Sequence, residues 1–329
     1  MISHKIIVVR GTGSIGMRHA EVLRGAGHEV LLFPKREERI KSLSSEGWAC
    51  VDTWSEAQAA GATHAIIATD TVCHIEDTIA ALEVGLIVLV EKPIALSMQA
   101  AGPLLALDSS QKERIFCGLS MRYSHALLHF RTSLDKVGDI HSAFVECRSW
   151  LPDWRPSSNY RQSYSSSPTQ GGVLRDLIHE IDYIGWILGW PHSAGADLVN
   201  TGRLGIEAEE QAFLHLLVPG DVRVQVALDY LSRPARRNFF VFGEKGTLHL
   251  DAISQSVHFK GLEEEENWHF PQSRNEMLRD EHDAFLNPSI GTAVGLNESL
   301  HSLVVCDAAR DSAVNHARVE TVALDAIDE

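Results

Sequence analysis

Apolar and polar positions follow two different patterns along the chain, and the change comes near residue 120. Before it, short β-branched runs such as KIIVV at 5–9 and LIVLV at 86–90 are separated by stretches of helical periodicity. Such runs suit strands buried on both faces, and their alternation with helices predicts a parallel, doubly wound sheet. Strands are predicted at 5–9, 29–33, 63–68, 86–90 and 114–118, and helices at 15–26, 38–45, 73–85 and 97–108.

Beyond residue 120 the pattern is typical of a second domain with a different sheet. Strand-like runs at 210–218, 222–231, 237–242 and 246–250 have no helices between them, which favours antiparallel pairing. Further predictions are a strand at 141–149, a loop at 151–170, a solvated loop at 263–266, and helices at 173–188, 275–287 and 296–315. The sequence therefore predicts an α/β protein with domains at 1–120 and 121–329.

Composition and net charge mainly indicate which kinds of partner the protein is not expected to bind. A chain of 329 residues exceeds the usual size of one hydrophobic core, which agrees with two domains. A net charge of −15 argues against nucleic acid. Five dispersed cysteines without a CxxC pair favour a reducing compartment and argue against structural zinc. No signal-peptide pattern and no apolar run of about 18 residues is found, so we expect a cytoplasmic protein without a membrane partner.

The segment Gly11-Thr12-Gly13-Ser14-Ile15-Gly16 is a GxGxxG motif that follows a β-branched strand and opens a helix. In this context the first glycine permits a tight turn, the second lets a pyrophosphate approach the backbone, and the third permits strand–helix packing. The N-terminus of the helix, at Ser14 and Ile15, then offers N–H groups to the phosphates. The motif predicts an NAD(P)-binding domain at 1–120, and a tight turn without a ligand is the alternative.

The end of the second strand bears on which dinucleotide is bound. NAD-selective domains usually carry an acidic residue there, which bonds the ribose 2′-OH. Here the strand ends in Leu32-Phe33-Pro34 and is followed by Lys35 and Arg36, which suit a 2′-phosphate. We therefore predict NADP, with NAD as the alternative; the two cations could instead simply begin a solvated helix.

Two further segments carry candidate chemistry. Lys92 in Glu91-Lys92-Pro93 follows a strand and is predicted at the carboxyl edge of the sheet, where ligands bind in open α/β folds. A lysine in that position suits proton transfer, whereas a surface ion pair with Glu91 is the alternative.

The second segment is GGVLRDLIHEID at 171–182. Asp176, His179 and Asp182 recur at helical spacing and are predicted to share one helix face, where a carboxylate can orient the imidazole for acid/base work. An ion-paired face is equally compatible with the pattern. A metal site is the weaker alternative, because no third segment supplies a ligand.

In their order along the chain, GTGSIGMRH, ATDTVCH, EKP and GGVLRDLIHEID resemble the glucose–fructose oxidoreductase / inositol dehydrogenase (Gfo/Idh/MocA) family. The similarity continues more weakly to 274–277. It implies a Rossmann domain followed by an α+β domain with a large, mostly antiparallel sheet that binds substrate and forms a homodimer or homotetramer. It also implies a dehydrogenase or reductase that transfers hydride between nicotinamide and a CH–OH carbon of a sugar or sugar derivative.

The resemblance assigns roles to individual residues. Lys92 and His179 are implied in proton transfer, and Asp176 as the partner of the histidine. The loop at 154–164 resembles members connected with nucleotide sugars and sialic-acid-like sugars, although its arginines could equally hold the loop to its own domain. The implied cofactor contacts are Gly11, Gly13, Ser14, Ile15, Gly16, Lys35, Arg36, Thr69, Thr71, His74, Glu91 and Lys92, and the implied substrate contacts are Arg122, Arg155, Tyr160, Arg161, Asp176 and His179.

Three positions depart from the family pattern. Asp176 and His179 are three apart where many members have a spacing of four, Arg10 stands where a small residue is usual, and Asp70 stands where proline or asparagine is common. Two other functions of the same scaffold stay open. One is a glycosidase that uses bound NAD for transient oxidation, and the other is a nonenzymatic NAD(P)-binding sensor.

Overall fold

The computed structural model describes residues 4–156 and 158–321, which form two compact units. Of the described residues, the first unit contains 4–120 together with Ser273–Leu300, and the second contains 121–156, 158–272 and 301–321. The division after residue 120 coincides with the predicted domain boundary. Ser273–Leu300 joins the first unit, although the sequence prediction assigned this segment to the second domain.

The first unit is built on a six-stranded parallel sheet of order β3-β2-β1-β4-β5-β6, which confirms the predicted doubly wound Rossmann sheet. Its strands are β1 (Ile6–Arg10), β2 (Glu29–Phe33), β3 (Ala49–Cys50), β4 (His64–Ile67), β5 (Ile87–Glu91) and β6 (Ile115–Gly118). Its helices are α1 (Ser14–Gly25), α2 (Glu38–Ser45), α3 (Trp54–Ala59), α4 (His74–Glu83), α5 (Met98–Leu105) and α6 (Ser109–Lys112).

The apolar pattern explains why these elements form one core. Ile7 and Val9 of β1 have no exposed surface, as expected for a strand covered on both faces. Leu23 of α1 packs into the same core, and so does Phe285 from a helix that returns to this unit late in the chain. Burial of that aromatic side chain ties the segment around it to the first unit.

The second unit contains a nine-stranded sheet of order β14-β13-β12-β11-β7-β10-β9-β8-β15. β7 and β10 pair in parallel and the other neighbours pair antiparallel, which confirms the mostly antiparallel sheet. The strands are β7 (Ile140–Trp150), β8 (Ser193–Val199), β9 (Gln211–Val218), β10 (Val222–Asp229), β11 (Leu231–Gly243), β12 (Gly246–Asp251), β13 (Ser256–Gly261), β14 (Glu265–His269) and β15 (Val319–Glu320). The later helices of the chain are α7 (His125–Thr132), α8 (Val173–Asp176), α9 (Ile178–Leu188), α10 (Arg274–Leu286) and α11 (Leu296–Asn315).

Two local predictions were wrong. The single helix at 173–188 is broken at Leu177, whose φ of −99° and ψ of 32° separate α8 from α9. Because Leu177 is buried like its apolar neighbours, the hydrophobic pattern runs through the break and conceals it. The solvated loop at 263–266 is wrong in its second half, since Glu265 and Glu266 belong to β14 and pair with Lys260 and Lys136.

Within the described ranges, none of the helices is long and apolar enough to cross a membrane. The same residues contain no group of three or more His, Cys, Asp or Glu side chains arranged to hold a metal ion.

Candidate functional site

The three glycines of the turn at 11–16 meet different surroundings. A Cβ on Gly11, whose φ is +95°, would lie 2.5 Å from the Ala68 carbonyl oxygen, and one on Gly16 would lie 2.0 Å from the Gly11 carbonyl oxygen. A Cβ on Gly13 would meet no described atom within 4 Å. The first glycine is therefore required where the turn packs against Ala68 after β4, and the third is required where α1 packs against the backbone of the turn itself. The second faces open space, where the backbone is accessible to a ligand.

The first turn of α1 suits an anion. Gly13 is the N-cap, no side chain among the described residues caps the helix, and the first turn carries no acidic residue. Ser14 and Ile15 in this turn are exposed. Unpaired N–H groups at a helix N-terminus and the positive end of the helix dipole both favour phosphate. The turn therefore fits the pyrophosphate of NAD(P).

Lys35 and Arg36 follow β2 and are both exposed. The Lys35 ammonium donates to Asp70 Oδ2 at 3.3 Å and to Cys73 Sγ at 3.2 Å, and the hydrogen bond to Cys73 raises the pKa of Lys35. This lysine therefore lies against the loop that follows β4. A contact of either cation with a 2′-phosphate stays a prediction, and for Lys35 it would compete with the Asp70 carboxylate.

Arg10, the unusual residue before the turn, braces the same edge of the sheet. Its Nε donates to Asp77 Oδ1 at 2.9 Å, its Nη1 donates to the Pro34 carbonyl at 3.1 Å, and its guanidinium lies 4.0 Å from the Phe33 ring centroid. Thr69 donates from its hydroxyl to the other Asp77 oxygen at 2.9 Å. The ends of β1 and β2 are thereby tied to α4, which accounts for a large cation at this position.

His74 connects two loops at this edge. Its Nδ1 lies 3.0 Å from the Pro93 carbonyl oxygen and its Nε2 lies 3.0 Å from the Thr69 carbonyl oxygen. Burial lowers the pKa of His74. This histidine joins the loops after β4 and β5, while Thr71 between them is partly exposed. Direct contact of Thr69, Thr71 or His74 with the cofactor stays a prediction.

Glu91 is the last residue of β5, and Lys92 follows it at the carboxyl edge that also carries the glycine turn. Glu91 Oε1 accepts a hydrogen bond from His19 Nε2 at 2.9 Å, and His19 Nδ1 lies 2.7 Å from His282 Nε2. Burial alone would raise the pKa of Glu91, but the His19 hydrogen bond and the Lys92 charge hold it below its ordinary value. The sequence showed His19 only as the last letter of GTGSIGMRH, and nothing in it indicated His282.

In the second unit, Asp176 ends α8 and His179 lies in the first turn of α9, so the predicted continuous face is interrupted between them. Asp176 Oδ2 accepts a hydrogen bond from Tyr230 Oη at 2.6 Å. Burial, followed by the Asp176 charge, raises the pKa of Tyr230 well above its ordinary value, so the phenol keeps its proton and donates. Sequence reasoning missed Tyr230, whose only signal was its place at the end of an apolar strand.

Two ion pairs, one buried and one partly buried, hold α9. Arg122 donates from Nε and Nη2 to the two Asp182 oxygens at 2.9 and 2.7 Å, and Arg237 Nε donates to Glu180 Oε1 at 2.6 Å. Asp182 thus anchors the helix to the segment after β6, which favours the ion-paired alternative for this residue. Substrate binding by Arg122 stays a prediction, and two of its nitrogens are directed at Asp182.

The loop at 154–164 is bound to its own unit. Tyr160 Oη and Arg161 Nε both donate to the Leu204 carbonyl, at 3.1 and 2.9 Å. Arg155 is exposed, with its guanidinium 5.6 Å from the Tyr164 ring centroid. For Tyr160 and Arg161 these contacts support the alternative in which they fasten the loop. Their contact with substrate, and that of Arg155, stays a prediction.

Comparison with known proteins identifies both units. A family model described as an oxidoreductase family with an NAD-binding Rossmann fold matches residues 5–119, and a model of the GFO/IDH/MocA C-terminal domain matches residues 133–249. Together the two models cover more than half of the chain.

Among curated proteins, the myo-inositol dehydrogenase Hyg17 of Streptomyces leeuwenhoekii is 26% identical over 189 residues, which are 56% of this chain and 55% of that protein. The matched segment spans between 48% and 68% of the length of the curated relatives. An oxidoreductase from Agrobacterium radiobacter, solved with NAD+, L-tartaric acid and magnesium, has a TM-score of 0.85 at 17% identity and covers 99% of this chain and 100% of its own. The WlbA dehydrogenase from Bordetella pertussis, solved with NADH and UDP-GlcNAcA, has a TM-score of 0.80 at 19% identity. The match covers 98% of this chain and 100% of that protein's chain. The two structures show the same fold.

Proposed function

Since the chain belongs to the Gfo/Idh/MocA family of NAD(P)-binding oxidoreductases, we propose that it transfers hydride between nicotinamide and a hydroxyl or carbonyl carbon of a sugar or sugar derivative. The observation that carries the proposal is the glycine turn, where Gly13 faces open space before an uncapped helix N-terminus. Lys92 stands at the same edge of the sheet. The domain that binds the dinucleotide on the turn would therefore also supply Lys92 as a group for proton transfer.

Residues of both units have proposed roles in the reaction. When bound, the nicotinamide accepts or supplies the hydride. In the oxidative direction Lys92 or His179 takes the proton of the substrate hydroxyl, and in the reductive direction returns it to the carbonyl oxygen. Asp176, held by the Tyr230 hydroxyl, orients the histidine.

We propose NADP as the cofactor, with NAD as the alternative. Pro34, Lys35 and Arg36 follow β2 where an NAD-selective domain would carry an acid, and both cations are exposed. The two solved relatives named above were bound to NAD+ or NADH, which supports the alternative. Comparison of kcat/KM for the two dinucleotides decides between them, and a clear preference for NAD would contradict the proposal.

The substrate class rests on the relatives. One is named a myo-inositol dehydrogenase and another was solved with a nucleotide sugar, so polyols, free sugars and nucleotide sugars form the panel to test. Purified protein is mixed with each compound and with NAD or NADP, and formation of reduced nicotinamide is followed by absorbance. A glycosidase with transient oxidation would cleave a glycoside without net reduction of free cofactor, and a sensor would bind the dinucleotide without turnover.

Lys92→Met tests the catalytic assignment. We expect turnover to fall by about 10²- to 10⁴-fold with a modest change in cofactor Kd, because general acid–base catalysis is lost while the glycine turn is intact. Lys41→Met, an exposed substitution on α2, is the matched control and should behave as the parent protein. Full turnover in Lys92→Met would remove this lysine from the mechanism.

We also propose assembly into a homodimer or homotetramer through the outer face of the nine-stranded sheet. Phe144 and Phe240 are half-buried and directly opposite each other in the register of β7 and β11, while their neighbours Val145 and Phe239 point into the core. The two half-buried rings therefore lie on the opposite face of the sheet. Light scattering after size exclusion tests the assembly, and a monomer at micromolar concentration would contradict it.

A further inference from the structure

Trp154 is an exposed indole on the loop that follows β7. Its relative exposure is 37%, whereas the other six of the seven tryptophans in the chain are buried or half-buried. A single exposed apolar side chain is common on protein surfaces and indicates nothing by itself. The contacts of this indole and its place on the sheet therefore decide whether its exposure has a function.

The indole of Trp154 is held at several points. The backbone N–H of Trp154 donates to the Leu151 carbonyl at 3.1 Å, and Nε1 donates to Ser149 Oγ at 2.8 Å. Its ring meets the ring of Tyr230 edge to face, with the centroids 5.4 Å apart and an interplanar angle of 88°. A side chain that is already fixed loses little conformational entropy when a ligand binds, so the exposed part of this ring is suited to binding.

The alternation of side chains along β7 places this indole on the face of the nine-stranded sheet that carries α9. Successive side chains of a strand point to opposite faces, so Ser149, which accepts the indole N–H, points to the same face as Val145. Val145 pairs with Phe239 in the register of β7 and β11, and the Phe239 ring stacks on Tyr183 of α9. Trp154 and α9 therefore lie on the same face.

Tyr230 connects the indole to the proposed reaction site. Tyr230 has no exposed surface, and its hydroxyl donates to Asp176 Oδ2 at 2.6 Å while its ring contacts Trp154. The exposed indole and the carboxylate that is proposed to orient His179 are therefore neighbours of the same tyrosine. A single side chain separates the two groups, and both belong to the second unit.

The chemistry of an indole face favours a cyclic sugar as its ligand. The π system of an aromatic ring carries partial negative charge on its two faces. In a pyranose or cyclitol ring most hydroxyls point outward, and the C–H bonds of a ring face form an apolar patch with partial positive charge. This patch can lie flat on an indole while the hydroxyls keep their hydrogen bonds to water or to polar side chains. An open-chain polyol carries the same groups but has no fixed ring face.

We propose that Trp154 is a sugar-stacking residue, which binds the apolar face of a cyclic sugar or cyclitol beside Asp176. This inference rests on the proposed function, because it takes Asp176 to mark the place where the substrate reacts. It adds a source of specificity to that function. Ring-shaped substrates gain the contact with the indole, whereas open-chain polyols with the same number of hydroxyls do not.

Binding at the indole is measured by ¹⁹F NMR on protein labelled with 5-fluorotryptophan, and Trp154→Phe identifies the signal of Trp154. The parent protein with NADH or NADPH is titrated with methyl β-D-glucopyranoside and myo-inositol as cyclic probes, with mannitol as the open-chain control, and with uridine as a flat aromatic control. We expect a cyclic probe to shift the Trp154 signal saturably, with a Kd at least about tenfold below that of mannitol, while the six other signals stay in place. No shift, a shift with uridine alone, or an equal Kd for mannitol overturns the proposal.

Kinetics on any cyclic substrate that is found give a second measurement. Trp154→Ala removes the stacking face and should raise KM by about 5- to 50-fold with kcat within about threefold, whereas Trp154→Phe keeps an aromatic face and should raise KM by less than about threefold. Trp268→Ala is the matched control, a half-buried indole on the edge strand β14, and should leave both constants unchanged. A fall in kcat at unchanged KM in Trp154→Ala would mean that the indole only supports Tyr230, and would overturn the proposal.

The two measurements separate the sugar-stacking role from the proposed function. The NMR titration uses the parent protein, so it needs neither turnover nor a folded Trp154→Ala variant. A shift with cyclic sugars, without oxidation or reduction of any of them, would refute the proposed function and leave the sugar-stacking role. Turnover of a cyclic sugar with a stationary Trp154 signal would do the reverse.

Discussion

The contrast between Gly13 and Gly16 gives the sharpest test of the glycine turn. Gly13 has φ −75° and ψ −173°, which alanine adopts without strain, and its added methyl would meet no described atom within 4 Å. Alanine is a poorer N-cap than glycine, which lowers the stability of the folded protein, but it also reduces the conformational entropy of the unfolded chain, which raises that stability. The free energy of unfolding of Gly13→Ala should therefore stay within about 0.5 kcal/mol of the parent protein.

The same methyl would stand where the pyrophosphate approaches the backbone. Overpacking by one methyl typically costs about 1–3 kcal/mol, which corresponds to a cofactor Kd weaker by about 5- to 150-fold. The Kd is measured by calorimetry with NADH and NADPH, and the free energy of unfolding by urea titration of the protein without cofactor. A Kd equal to that of the parent protein would refute the assignment of the turn to the dinucleotide.

Two matched variants serve as controls for Gly13→Ala. In Gly16→Ala the methyl would lie 2.0 Å from a backbone oxygen, so the protein itself should lose about 1–3 kcal/mol of stability. In Gly25→Ala, at the other end of α1, the methyl meets no described atom within 4 Å and replaces a helical glycine, so stability should rise slightly and the Kd should not change. A Gly13→Ala protein that behaves like Gly16→Ala would show that the turn serves packing alone.

Three further outcomes are expected. Asp70→Asn releases Lys35 from an exposed ion pair and should increase the affinity for NADP relative to NAD by about two- to fivefold. An unchanged affinity ratio in binding titrations would show that Lys35 does not contact the 2′-phosphate. Arg122→Met removes the guanidinium that donates two hydrogen bonds to the buried Asp182 carboxylate and should cost about 3–5 kcal/mol in urea unfolding, whereas unaltered stability with a raised KM would support substrate contact instead. Burial raises the pKa of Glu281 in the folded protein above its ordinary 4.5, so its contribution to the free energy of unfolding is complete below pH 4.5 and is lost as the pH rises toward the folded pKa. Glu281→Gln should abolish this loss of stability. Urea midpoints that change in parallel for the two proteins from pH 4 to about 8 would contradict the prediction.

The sequence by itself determined the strands of the first unit other than the short β3, together with the glycine turn and the motif positions. These features depend on local rules: β-branched runs bury on both faces, and a turn with positive φ at Gly11 requires glycine. The division after residue 120 was also visible, because helices stop alternating with strands there. The cofactor class followed from the same local signals, and the family models confirm it.

The tertiary structure alone decided which distant side chains meet. His282 and Phe285 return on α10 to the first unit, and His19 and His282 are 263 positions apart. Periodicity shows which face of a helix is buried but not what buries it, so the sequence indicated neither this contact nor the hydrogen bond from Tyr230 to Asp176. The break at Leu177 was hidden for the same reason, because a buried leucine fits a continuous helix and a kinked one equally well.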